Sequence, residues 1–185
     1  MERKKFILGA LLLVPFKMLS KSFNLKFMED KKGFKVNAGE ARFGTHYKMK
    51  GVTLNTLDIK ISSSDSEGAL AVFQQTGQTP NGGPPLHIHL YQDEWFYILE
   101  GDYLFQVGDE KYQMTKGDTI FLPRNVPHAF VQLTEKASVI VSYFPAGKME
   151  AFFKETDSWT SPPTKEIIAD VFARHEMKVV GPGLH

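Results

Sequence analysis

From about residue 35 to residue 145 the chain is a succession of short strand-like runs punctuated by turn residues, and this pattern leaves little choice of fold class. Leu57, Ile59 and Ile61 alternate with Asp58 and Lys60, the period of two expected of a half-buried strand. Ser62 to Ser66 with Gly68 mark a turn, and Ala69 to Gln75 is apolar on both faces, which predicts a strand buried between layers. Gln78 to Pro85 reads as loop. Further strands are expected at 86–90, 95–99, 103–107, 111–114, 119–122, 129–133 and 138–144. Between them Glu100-Gly101-Asp102, Gly108-Asp109, Lys116-Gly117-Asp118 and Pro123-Arg124-Asn125 supply turn chemistry. Many short strands at a spacing of ~8–12 residues predict an all-β sandwich or barrel.

Beyond residue 147 the period changes. Met149, Phe152 and Phe153, and then Ile167, Ile168, Val171 and Phe172, form apolar stripes of two short helices. Thr164 stands where the second helix needs an N-cap, and Glu166 suits the positive end of its dipole. These helices are expected to cover one side of the barrel. Without an internal repeat, one barrel is predicted, over residues 23–147, with a helical extension over 148–185.

Composition narrows the chemistry. The 15 Phe and 42% hydrophobic residues supply one packed core and exclude intrinsic disorder. Lys and Arg (22) nearly balance Asp and Glu (21) with no basic stripe, which argues against a nucleic-acid partner. Cysteine is absent, so disulfides, thiolate zinc sites and cysteine nucleophiles are excluded, and any metal must be held by nitrogen and oxygen.

Residues 1–22 stand apart. Glu2-Arg3-Lys4-Lys5 precedes the apolar run Phe6 to Val14 and Pro15, the basic and hydrophobic regions of an export signal but too short for a stable membrane span. Ser20-Lys21-Ser22 offers small residues near a cleavage point, and Arg3-Lys4-Lys5 is similar to a degraded twin-arginine signal. Export to the periplasm is one expectation; an amino-terminal arm on a cytoplasmic protein is the other.

The informative segment is His87-Ile88-His89 followed by Glu94. Residues i and i+2 of a strand share a face, so the two imidazoles stand side by side. Leu90-Tyr91-Gln92-Asp93 reads as a hairpin bend returning Glu94 beside them, and His128 follows Pro127 at the head of a later strand. Three imidazoles and a carboxylate suit a divalent transition metal (iron, manganese, nickel, copper, cobalt or zinc). His46, His175 and His185 lack such company and read as surface or structural residues. By strand parity Phe96 and Ile98 share the face of Glu94, and Phe130 and Gln132 share that of His128. These four are the expected lining of a small-molecule pocket, with barrel filling as the competing role.

These residues resemble the two motifs of the cupins. The first is matched by His87, His89, Glu94 and Gly101, with its leading glycine displaced to Gly82-Gly83. The second is matched by Gly117, Pro123, Asn125, His128 and Gln132, where Asn125 replaces the family's middle glycine and Gln132 its terminal asparagine. Asn tolerates a positive φ better than most residues, so the turn at Asn125 is expected to survive. The runs Gly82 to His89, Pro145 to Phe153 and His175 to Gly183 are also similar to monocupins related to quercetin 2,3-dioxygenase. The resemblance implies a double-stranded β-helix (jelly-roll) barrel with short C-terminal helices, commonly a homodimer. It also implies a metal-dependent dioxygenase acting on a small phenolic or enolisable substrate with O2, with Glu94 as catalytic base. A metal-dependent isomerase, hydrolase or lyase working without O2, or a non-enzymatic ligand-binding cupin, would use the same residues.

Overall fold

A computed structural model describes residues 32–51, 55–77 and 80–184. The expectation of an export signal in residues 1–22 therefore lies outside the described residues, as does His185. The fold described below is that of residues 35–184.

Eleven strands and two helices follow one another in the order β1 (His46–Lys48), β2 (Asn55–Ile61), β3 (Ala71–Gly77), β4 (Pro85–His89), β5 (Asp93–Glu100), β6 (Tyr103–Val107), β7 (Glu110–Met114), β8 (Thr119–Leu122), β9 (His128–Gln132), β10 (Ala137–Phe144), α1 (Met149–Asp157), α2 (Lys165–Arg174) and β11 (Met177–Gly183). Two antiparallel sheets result. One runs β1-β2-β3-β10-β5-β8 and the other β11-β4-β9-β6-β7, which is the jelly-roll expected of the sequence. The strands expected at 103–107 and 119–122 have those bounds, and the others shift by one or two residues at an end.

Three features differ from the sequence reading. β3 is not buried on both faces: Ala71, Phe73, Gln75 and Gly77 are buried while Val72, Gln74 and Thr76 are partly exposed. Its outward face is the outside of the first sheet. Residues 90–92 are not a hairpin bend. β4 pairs with β9 and β11, whereas β5 pairs with β10 and β8, so this segment carries the chain from one sheet to the other. Backbone bonds from Leu90 N to Glu176 O (2.9 Å) and from Asn125 N to His89 O (2.8 Å) occupy the groups a hairpin would use. Finally, the extension after residue 147 is not helical throughout, because β11 returns to the second sheet and pairs with β4, Met177 opposite His89 and Val179 opposite His87.

The core lies between the sheets. Phe96 packs edge-on to Phe105 (5.0 Å between ring centres) and Phe130 (5.4 Å), and Ile98, Val139 and Val141 close around them. Such edge-to-face pairs add to the simple burial of apolar area. Toward the helices, Phe73 contacts Phe153 (4.9 Å) and Tyr143 (5.8 Å), while Phe152 meets Phe172 (5.1 Å). The Thr164 hydroxyl accepts from Ile167 N, as expected of an N-cap. Of the apolar stripe on α2, Val171 and Phe172 are buried but Ile167 is 47% exposed. No helix among the described residues is long and apolar enough to cross a membrane.

Phe96 is 1% exposed and packs against two rings. Phe96→Ala is expected to cost about 3–5 kcal/mol through lost burial and the cavity left behind, read as a lower denaturant midpoint. Tyr97→Ala on the outer face of the same strand shifts the midpoint far less.

Candidate metal centre

His87, His89, Glu94 and His128 come together inside the barrel, each offering one ligand atom, with all four such atoms within 4.8 Å of one another. All four residues are buried. Both sheets contribute. β4 brings His87 and His89, β9 brings His128 opposite His87, and Glu94 arrives from β5 in the facing sheet.

Local bonds aim the rings. His87 Nδ1 lies 2.8 Å from Pro85 O and His128 Nδ1 lies 2.9 Å from Val126 O. A carbonyl can only accept, so Nδ1 carries the proton in both rings and donates it, leaving the Nε2 lone pairs free. His89 and His128 lie nearly parallel (7°, 5.3 Å between ring centres), and His87 is edge-on to both. Glu94 Oε2 stands 3.2 Å from His128 Nε2 and 3.7 Å from His89 Nε2. His128 Nε2 is fully buried yet makes no hydrogen bond, the state expected of a nitrogen waiting on a cation. Three converging imidazoles, one with an orphaned buried Nε2, and a carboxylate suit a borderline divalent metal, so the residues present fit one.

The turn leading into β9 is anchored to both sheets. Asn125 adopts φ 63°, so the residue standing in for the motif's glycine holds the left-handed turn. Arg124 donates to Asp93 through Nε (3.0 Å), Nη2 (2.6 Å) and its backbone N (2.9 Å), pinning the start of β5 one residue before Glu94. The displaced glycine is also explained: a Cβ on Gly83 would lie 1.9 Å from Phe130 O, so only glycine permits this approach of backbone to β9.

Burial would raise the Glu94 carboxyl, but the His128 and His89 imidazoles and the Tyr143 hydroxyl, which donates to it, outweigh burial and hold it below the usual value. Burial pushes His87 well down, with His128 and His89 adding to the effect. It takes His89 to about 4 against the opposing charge of Glu94. Glu94 and Tyr143 are direct cross-strand partners.

A cavity of about 30 Å³ adjoins His87, His89 and Glu94. Its other walls are apolar or nearly so: Met49, Phe130, Met149, Phe152, Phe172 and Met177 are among them. Of the four residues expected to line a pocket, Phe130 does so. Phe96 and Ile98 do not, and belong to the packed core. Gln132 does not either: its Nε2 donates to Thr134 O (2.7 Å) and Glu135 O (3.2 Å), tying down the turn before β10. The parity argument put them on the correct face, but each two-residue step carries a side chain ~6.6–6.8 Å further along the strand. Only the first residues of β5 and β9 stand at the site.

Sequence reasoning missed Tyr143, Gln75, the three methionines and the helix aromatics. Tyr143 shares the inner parity of Val139 and Val141, a signal that was present; which helix residues reach the cavity depends on tertiary packing. His46 faces Asp58 (Nδ1 to Oδ1, 2.7 Å) at the surface, and the buried His175 donates from Nδ1 to Val171 O (2.8 Å). Both are structural.

Comparison with known proteins agrees with this geometry. Residues 77–144 match the cupin domain family. The barrel superposes on an RmlC-like cupin from Shewanella frigidimarina with a TM-score of 0.52 and 18% identity, covering 64% of this chain and 96% of that one. Residues 77–144 are thus a cupin domain. The cupin is also similar to the polyketide cyclase RemF from Streptomyces resistomycificus (TM-score 0.52, 22% identity, 62% of this chain and 80% of that one). In sequence it is 28% identical over 97 residues to quercetin 2,3-dioxygenase of Bacillus subtilis, 52% of this chain and 28% of that protein. It is 46% identical over 43 residues to an uncharacterised protein of Methanocaldococcus jannaschii, 23% of this chain and 34% of that one. This chain thus matches about a third or less of the length of either relative.

The buried imidazoles make the metal-free cupin acid-sensitive. His89 titrates near 4 when folded and at ~6.5 when unfolded, so between those values the unfolded chain binds more protons and stability rises with pH. Denaturant unfolding of metal-free protein is expected to show stability falling from pH 7 toward pH 4. A flat profile across that window would contradict the burial of neutral rings.

Proposed function

We propose that this cupin is a metal-dependent dioxygenase of the quercetinase kind, acting with O2 on a compact phenolic or enolisable substrate. The observation that carries the reading is the buried set His87, His89, Glu94 and His128 facing a cavity walled by methionine and aromatic side chains. The partial similarity to quercetin 2,3-dioxygenase supports the reaction class.

The three imidazoles and Glu94 would hold a divalent ion, which supplies Lewis acidity toward a substrate oxygen and toward O2. Glu94 takes the proton from the substrate's acidic hydroxyl. A positioned carboxylate of this sort contributes typically ~10²–10⁴-fold, and the Tyr143 hydroxyl fixes its orientation. Gln75 lies in the cavity wall; its Oε1 accepts from Asn55 Nδ2 (3.3 Å), leaving the amide N–H groups to receive a second substrate oxygen. The remaining walls exclude water and suit a flat apolar body. The free space is about 30 Å³, far below the ~300–1,000 Å³ typical of ligand sites. A substrate therefore enters only as wall side chains move aside, which favours a single ring or a short 1,2-dicarbonyl over a three-ring flavonol.

Metal analysis of the purified protein, followed by oxygen uptake with a panel of catechols and 1,2-diones, tests the reading. Bound metal with substrate-dependent uptake is expected; turnover that continues in the absence of oxygen overturns the dioxygenase. Glu94→Gln is expected to retain metal through the three histidines while turnover falls by about 10²–10⁴-fold. Undiminished turnover in that variant would remove Glu94 as the base.

A further inference from the structure

Two of the three histidines have a backbone carbonyl to hold the proton on Nδ1; His89 does not. Its Nδ1 is buried without a hydrogen bond, and so is Oε1 of Gln92, the side chain that neighbours the His89 ring. A ring nitrogen able to donate and a carbonyl oxygen, each lacking any other partner, are complementary. Gln92 is itself held in place. Its Nε2 donates to Glu176 Oε2 at 2.7 Å, and Glu176 Oε1 lies 3.5 Å from Lys148 Nζ. Gly147 backs the amide so closely that a Cβ there would lie 1.9 Å from Gln92 Nε2.

The chemistry fixes the direction of this chain. A carboxylate only accepts, so the NH2 end of the Gln92 amide must face Glu176, and the carbonyl end is left for His89. We propose that Gln92, oriented by Glu176, is a positioning residue that keeps the proton of His89 on Nδ1 and turns the Nε2 lone pair toward the ion. The proposal rests on reading His89 as a metal ligand. Glu176 belongs to the turn between α2 and β11, at φ 67°, so the packing of the C-terminal segment reaches a ligand through a single amide. Outer partners of this type change metal affinity by ~10–100-fold when removed.

Long-range nitrogen–proton NMR of the histidine rings in metal-free protein at pH 7.5, together with Co²⁺ titration, tests this. In the unaltered protein His89 is expected as the Nδ1–H tautomer. Gln92→Met keeps the length of the side chain but removes the amide; the ring should shift toward the Nε2–H tautomer and Co²⁺ affinity should fall by about 10–100-fold. Glu176→Lys leaves Gln92 in place but offers a donor where an acceptor stood. The amide should reverse and produce the same tautomer shift, with the thermal midpoint of each variant measured to confirm folding. An unchanged His89 tautomer in the folded variants overturns the relay. Failure of the unaltered protein to bind Co²⁺ overturns the metal reading instead, while the ring spectra still decide the relay.

Discussion

Three imidazoles and a carboxylate buried against one another are the constraint on which the rest of the structure depends. Polar groups removed from water are costly unless each finds a partner. Here the partners are divided: carbonyls of Pro85 and Val126 satisfy the outer nitrogens of His87 and His128, and Tyr143 satisfies part of Glu94. The four candidate ligand atoms, the unsatisfied His128 Nε2 among them, converge on one another. Chelation of a metal would complete that arrangement and would thereby link folding to metal capture.

The barrel architecture explains why these groups come from distant parts of the sequence and still meet. Each lies within a strand, so the rigid sheets, rather than loops, set their separation. The two helices then add what the sheets lack. Met149, Phe152 and Phe153 from α1 and Phe172 from α2 join Phe130 in the wall, giving the ligand set an apolar, low-dielectric boundary in which electrostatic effects are stronger than in water.

Much of this was legible in the chain itself. Alternation at Leu57, Ile59 and Ile61, the turn residues and the His-x-His spacing place the strands and the four ligands, because period and parity are local properties. What was not legible depends on which sheet a strand joins. Leu90 to Asp93 has the composition of a hairpin, yet Leu90 N is taken by Glu176 and the preceding His89 O by Asn125, both far away in sequence. The same non-local pairing hid β11, whose Gly181-Pro182-Gly183 reads as a terminus rather than a strand, and hid Gln92, whose role exists only once Glu176 is beside it. Phe96, Ile98 and Gln132 show the limit of parity: it assigns a face but not a depth.

The pairing of β11 with β4 has a bearing on biosynthesis. The strand that carries His87 and His89 acquires its outer neighbour only when residues 177–183 have left the ribosome, and Glu176 arrives in the same stretch. Contacts of such long sequence separation form late, because loop closure must precede them. A nascent chain that has already produced all four of these residues therefore still lacks the finished cage, which is complete only when β11 and Glu176 have docked.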